Sequence, residues 1–271
     1  MRTPGAAPVV VGVNGAAESL AAVRLAAREA VTRGRRLQVV HAFQWPDPRF
    51  GAPPQSYGQA RREAARVVDR AVSAAQRCTP GVRVSGAVTD GPPVRVLLRL
   101  SRTADLLVLG DEDRSTDDGM PLDSILYQAV SRAFCPTVVA RGPRPPSGPL
   151  LAAVDGSPES LSALHLAAEE AARRDAPVEV AHVVRRGAEQ AGRRVLDTAL
   201  AAVPELHDVR RRLLVGDPAS TLVRASCKAR MVLVGPRGRD GTQFLGPVAL
   251  QLLRRGACPT LFVHGTTATG R

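Results

Sequence analysis

The sequence predicts an α/β protein of two tandem domains, each a doubly wound, five-stranded parallel sheet. Three observations carry that prediction. First, the chain repeats itself. VVVGVNG (9–15) returns as LLAAVDG (150–156), GPPVRVLLRLSRTADLLVLG (91–110) as GDPASTLVRASCKARMVLVG (216–235), and AFCPTVVA (133–140) as GACPTLFV (256–263). Second, short runs rich in valine and leucine alternate with longer stretches of helical period. Third, those short runs are continuously apolar rather than alternating, the pattern of strands buried on both faces. A repeat of about 125–140 residues is domain-sized, not a solenoid unit of about 20–50.

The elements follow in order. PVVVGV is a strand, and ESLAAVRLAAREAVTRG is a helix with an Ala/Leu face, closed by Gly34. LQVVHAF is a second strand, RREAARVVDRAVSAAQRC a helix from Arg61, and VRVSGAV a third strand. PPVRVLLRLSRT is a helix with prolines in its first turn, where a missing N–H costs nothing. DLLVLG is a strand, PLDSILYQAVSRAF a helix and PTVVAR the last strand. The second copy runs likewise, from LLAAV through SPESLSALHLAAEEAARR to PTLFV. Parallel strands joined by helices require right-handed crossovers, and such sheets bind ligands at the carboxyl ends of their strands.

The register of the repeat locates insertions. Asn14 matches Asp155 and His41 matches His182, both at an offset of 141, whereas Gly91 matches Gly216 at 125. The first copy thus carries 16 extra residues, mostly in the loop-like QWPDPRFGAPPQSYG (44–58). Cys135 matches Cys258 at 123, so the second copy lacks two residues between Gly235 and Cys258. The Pro-rich segment 141–149 is a semi-rigid linker between domains 1–142 and 148–271.

Composition narrows the function. No apolar run reaches the roughly 18–20 residues that span a bilayer, and the N-terminus lacks a signal-peptide core, so a cytoplasmic chain without membrane contact is expected. Four cysteines without CxxC or zinc spacing read as reduced, buried thiols. A net charge of +12 suggests nucleic acid. Yet the basic residues other than Lys228 are all arginine, scattered over helices in both copies, and aromatics are 3%. That pattern reads as a solvated face without stacking platforms, so no specific nucleic-acid binding is expected.

The strand ends carry a resemblance. Strand one ends in Asp-Gly-Ser in the second copy, strand two in His-Val, a G-D-P turn precedes helix three, a glycine-rich loop follows strand four, and Cys-Pro precedes the last strand. In that order, twice over, these motifs resemble the universal stress protein family in its tandem actinobacterial form, over about 7–141 and 148–264. The resemblance implies a Rossmann-like fold of the adenine nucleotide alpha hydrolase type. It also implies binding of ATP or another adenine nucleotide through G-x2-G-x9-G-S/T after strand four. Glycines there let backbone N–H groups approach phosphate, and the last Gly-Ser/Thr opens a helix whose N-terminus favours anions. The Asp after strand one and the backbone after the strand-two His would hold the adenosine.

The two copies depart from this pattern in opposite ways. The first reads GDEDRSTDDGMPLDS: Gly110 and Ser124 stand, but Asp113 and Asp123 replace two glycines. Six carboxylates (with Asp111, Glu112, Asp117 and Asp118) face only Arg114, and Asn14 replaces the adenosine-side Asp. Like charges about 4–6 Å apart cost on the order of 1 kcal/mol each, so a triphosphate is disfavoured. An EF-hand fails because Thr116 and Leu122 stand where Gly and Glu are needed. A loosely held divalent ion is the alternative to a solvated acidic loop, which is the reading preferred; no metal site is assigned.

The second copy keeps Gly235, Gly238 and Gly246, adds Arg237 and Arg239, and retains Asp155. Its Gly238–Gly246 spacing is x7, and Pro247 stands in place of Ser/Thr, offering neither hydroxyl nor N–H. The resemblance therefore assigns a weakened nucleotide site to Asp155, Val183, Gly216, Gly235, Arg237, Gly238, Gly246 and Val248. The matching first-copy positions, Asn14, Ala42, Gly110 and Ser124, form a weaker one. His41 and His182 have no ligand-spaced partners and read as strand-end packing, and no catalytic motif appears. Two functions remain: a nucleotide-responsive stress module that is not an enzyme, or a regulatory module that binds protein partners without nucleotide. The uncharged runs PTVVA and PTLFV are expected to pair the copies edge to edge, with homodimerisation implied by the family.

Overall fold

The computed structural model describes residues 6–45, 56–111, 124–142, 148–206, 208–238 and 245–264. These fall into two compact units, the first ending at Cys135 and the second beginning at Pro136.

The first unit alternates strand and helix. It contains β1 (Val9–Gly12), α1 (Ala17–Thr32), β2 (Leu37–Phe43), α2 (Tyr57–Cys78), β3 (Val84–Asp90), α3 (Pro93–Ser101), β4 (Leu106–Leu109) and α4 (Ile125–Arg132). Its strands lie in the order β3-β2-β1-β4, all parallel. Strand order reverses at β1, between β2 and β4, which places the ligand crevice of such folds there. Val9, Val10, Val11, Leu107 and Val108 have no exposed surface. Each large aliphatic side chain so buried contributes about 1.5–3 kcal/mol, which is why continuously apolar runs settle in the sheet centre.

The second unit contains β5 (Thr137–Val139), β6 (Leu150–Ala153), α5 (Pro158–Arg174), β7 (Val178–Val184), α6 (Glu189–Ala201), β8 (Val209–Val215), α7 (Pro218–Ser226), β9 (Met231–Val234), α8 (Pro247–Arg255) and β10 (Thr260–Phe262). Strands β10-β9-β6-β7-β8 are parallel in that order. Strand β5, the last of the first sequence copy, groups with this unit and runs antiparallel to β10, with Val138 opposite Leu261. Both are buried.

The strands and helices expected from sequence are present as an α/β fold, with local differences. The α2 helix begins at Tyr57 rather than Arg61. Ser56 and Gln59 form a reciprocal capping box that satisfies two orphan N–H groups and starts the helix a turn early. Strands β3 and β8, each last in its unit's order, have no buried residue and are half-buried or exposed throughout. On β8, Arg210 and Arg212 both reach Glu179 on β7, at 3.3 and 2.7 Å. Charges of this kind discourage further strands from adding to an edge.

Buried ion pairs fix the first helix of each unit. In the first, Glu29 and Asp105 share Arg33, at 3.2 and 3.0 Å, and Asp105 also takes Arg35. In the second, fully buried Glu170 takes both Arg173 and Arg174. The repeat puts Arg230 where the first copy has Asp105. No described helix is long and apolar enough to cross a membrane.

Candidate functional site

The two strand-end regions share a scaffold. In the first unit the chain leaves β1 at Asn14, whose Oδ1 accepts the N–H of Ala16 (2.9 Å) and the hydroxyl of Ser19. In the second, Asp155 leaves β6 and its Oδ1 accepts the N–H of Ser157, also at 2.9 Å. Both make the local side-chain-to-backbone turn that these residue types favour. His41 donates from Nδ1 to the carbonyl of Val13 at 2.8 Å, and His182 to that of Val154 at 2.7 Å. A carbonyl only accepts, so the ring proton sits on Nδ1 in both. The strand-end packing role inferred for these histidines thus has a specific form: each ties strand two to the end of strand one.

Part of the glycine pattern is required by packing. A Cβ on Gly235 would lie 2.7 Å from the Cβ of Glu159, and one on Gly110 would lie 3.1 Å from the backbone of Glu18. Each glycine therefore lets the end of a strand approach the first turn of a helix. Gly216 lies beside the end of β7, its N–H donating to the carbonyl of Val184 at 2.9 Å. Next to it, Asp217 caps α7 by accepting the N–H of Ser220 at 2.9 Å. That bond, with the Ser220 hydroxyl, holds the Asp217 carboxyl below its usual range.

The second unit brings Asp155, Arg237, Gly238 and Gly246 together. The position of an added Cβ on Gly238 is 3.5 Å from Asp155 Oδ2, and one on Gly246 is 3.2 Å from the Gly238 nitrogen. The Gly246 N–H donates to the carbonyl of Pro236 at 2.9 Å, drawing the two ends of the shortened loop together. Gly246 caps α8 and Pro247 is its first residue, so α8 opens without a capping side chain. Arg237 is half-buried, and its Nε is buried with no hydrogen-bond partner among the described residues. A guanidinium N–H left unsatisfied beside glycines at a helix N-terminus is chemically suited to an anion. Val183, on β7, and Val248, in the first turn of α8, are half-buried; Arg239 lies outside the described residues.

The first unit presents a different surface. A cavity of about 160 Å³ opens at the ends of β1, β2 and β4. Gly12, Val13 and Asn14 line it from strand one, Val40, His41 and Ala42 from strand two, and Leu109 and Gly110 from strand four. Pro93, Leu97, Ile125 and Leu126 close it from α3 and α4. Asn14, Ala42 and Gly110 thus line one cavity. Ser124 does not line it: its hydroxyl accepts the Tyr127 N–H at 3.0 Å as the cap of α4. The six-carboxylate loop lies outside the described residues except for Asp111, which is buried. Sequence reasoning missed Gly12, Leu97 and Leu126. The contrast of Gly12 with Ala153 was the available signal. A second feature it missed is the packing of Phe43, Trp45 and Tyr57 at the end of β2, with ring centroids 5.3–6.3 Å apart.

No group of three or more metal-ligating side chains occurs among the described residues. None of the four cysteines forms a disulfide; Cys135 and Cys258 are buried as expected, whereas Cys78 and Cys227 are exposed, against the expectation of buried thiols.

A tandem pair of parallel α/β units with ligand crevices at their strand ends defines the class. A family model described as the Universal stress protein family matches residues 6–141 and 147–264. The chain belongs to that family. A universal stress protein of Mycobacterium tuberculosis strain H37Rv is 30% identical over 93% of this chain and 95% of its own length. One of Mycolicibacterium smegmatis is 28% identical over 94% of this chain and 96% of its own. Among solved structures, a universal stress protein from Archaeoglobus fulgidus superposes with a TM-score of 0.75 at 16% identity. It covers 94% of this chain and 98% of that one, a likeness of fold.

Proposed function

We propose that this protein is a cytoplasmic stress-response module, not an enzyme, that binds an adenine nucleotide weakly and mainly in its second unit. The observation that carries the reading is the buried Nε of Arg237, without a hydrogen-bond partner among the described residues, beside Gly238, Gly246 and Asp155. In this arrangement Arg237 supplies charge to a phosphate. The backbone N–H groups of Gly238 and of Val248, in the first turn of α8, supply hydrogen bonds. Asp155 accepts from the sugar or base side. Pro247 withholds one N–H and the hydroxyl the family pattern places there, so one or two charge-assisted bonds of about 1.5–3 kcal/mol are lost. ATP therefore binds weakly, and a ligand with fewer phosphates loses less. Mass spectrometry of denatured, freshly purified protein tests this. Bound AMP, ADP or ATP supports it, and a Kd for all three weaker than about 10 mM refutes it.

The shortened loop and Pro247 also favour a second reading, a regulatory module that has lost nucleotide and acts through a protein partner. In either reading we propose that the two copies pair through β5 and β10 and that the chain forms homodimers. The uncharged, buried, antiparallel register of Thr137–Val139 with Thr260–Phe262 supports the first half. Lysines at both Val138 and Leu261 would sever that pairing and lower stability; unchanged stability refutes it. Light scattering decides the dimer.

A further inference from the structure

We propose that the strand-end cavity of the first unit is a separate site for one small, uncharged aromatic ring, and that it excludes phosphorylated nucleotides. The inference does not depend on the nucleotide reading of the second unit.

Size decides first. The cavity holds about 160 Å³. Drug-sized and nucleotide-sized ligands occupy pockets of roughly 300–1,000 Å³. An apolar cavity of about 150 Å³, by contrast, stays dry and accepts a benzene ring. Chemistry decides next. Among the described residues only Asn14 and His41 bring polar side chains to the lining. His41 uses Nδ1 on Val13, and Asn14 Oδ1 is engaged by Ala16 and Ser19. Among the described residues no arginine or lysine lines the space, whereas the second unit has Arg237 at its strand end. The Ser124 hydroxyl is occupied in capping α4.

Gly12 makes the room. A Cβ at this position would stand 3.1 Å from Cδ2 of both Leu97 and Leu109, two walls of the cavity. The second copy has Ala153 here. The first copy thus has one methyl fewer than the second where the ring would sit.

Indole is the probe, observed by saturation-transfer NMR on the full chain. A ring of this size is expected to bind with a Kd on the order of 1 mM or tighter. Gly12→Ala should weaken it by roughly fivefold or more by filling the cavity. Should that variant fail to fold, Ile125→Ala decides. Ile125 is 45% exposed at the start of α4 and lines the mouth, so its loss leaves the core intact and weakens indole by roughly threefold. AMP should not displace indole, and Arg237→Ala should leave indole binding as it was. The single tryptophan, Trp45, and far-ultraviolet dichroism report that each variant is folded. Absence of saturation transfer at about 10 mM indole overturns the proposal. So does displacement by AMP, or loss of indole binding in Arg237→Ala, which would put the ring in the second unit. A failure of every nucleotide to bind leaves the indole result standing and refutes only the nucleotide reading.

Discussion

The two strand ends of this protein were built from one plan, and they now agree in some atoms and differ in others. His41 and His182 make the same bond to a strand-one carbonyl. Ser101 and Ser226 each accept a backbone N–H, from Phe134 at 3.1 Å and Ala257 at 2.9 Å, while donating to the carbonyl of Leu98 or Val223. Gly110 and Gly235 each admit a helix turn. The agreements are all in groups whose partners are protein. The differences are Gly12 against Ala153, Asn14 against Asp155, and Ser124 against Pro247. These fall where a ligand would lie. A duplication thus compares packing positions with candidate binding positions within a single chain: the bonds named here are kept twice, the exchange of Asp105 for Arg230 is an exception in the scaffold, and the candidate site positions differ.

The largest contrast to test is in stability. Glu170 is fully buried and holds Arg173 and Arg174, and Arg230 replaces the carboxylate that would help. In the first unit Arg33 keeps Asp105 when Glu29 is removed. Glu170→Gln should therefore destabilise its unit by about 3 kcal/mol or more. Glu29→Gln should cost about half that, because a charged partner remains. Urea titration followed by circular dichroism measures both, and equal costs would break the contrast. In binding, Arg237→Ala should weaken AMP or ATP by roughly tenfold to a hundredfold, the loss of one charge-assisted hydrogen bond. Asn14→Ala should leave that affinity unchanged. Calorimetry on the full chain checks the pair, and an effect from Asn14 alone would move the nucleotide to the first unit.

Much of this was legible in the sequence, because buried parallel strands write themselves as Val and Leu runs and because the repeat supplied its own register. The start of α2 was not read, although Ser56 followed three residues later by Gln59 is a capping-box signature in the sequence. The Gly12 cavity was not either. A glycine within a strand marks close approach or open space, and only the positions of Leu97 and Leu109 tell which. The burial of Arg237 Nε away from any hydrogen-bond partner among the described residues needed the structure too: the arginine is visible in the sequence, its surroundings are not.

A smaller effect sharpens the second site. Pro247 stands at the first position of α8 with neither N–H nor hydroxyl. Pro247→Ser should gain about 1–2 kcal/mol of nucleotide binding, roughly tenfold, if the loop between Gly238 and Gly246 reaches the phosphates. No gain in calorimetry would mean that the closure of Gly246 onto Pro236 sets the limit instead.

The smallest contrast expected is none at all. Cys135 and Cys258 precede the last strand of each copy, and burial pushes both thiols up to about 12. A folded pKa raised above the ordinary value of 9.0 means the unfolded chain ionises first. Each thiol therefore leaves stability untouched below about pH 9 and subtracts from it as pH rises towards about 12, when the native state must bury a thiolate or hold its proton. Cys135→Val and Cys258→Val should each flatten the alkaline fall in melting temperature, to the same degree. Alkylation at mild pH should label the exposed Cys78 and Cys227 and spare both buried thiols until the protein unfolds. If Cys258 reacts in the native state while Cys135 does not, the two copies differ in packing as well as in binding. The division between shared scaffold and divergent site would then be wrong at its simplest point.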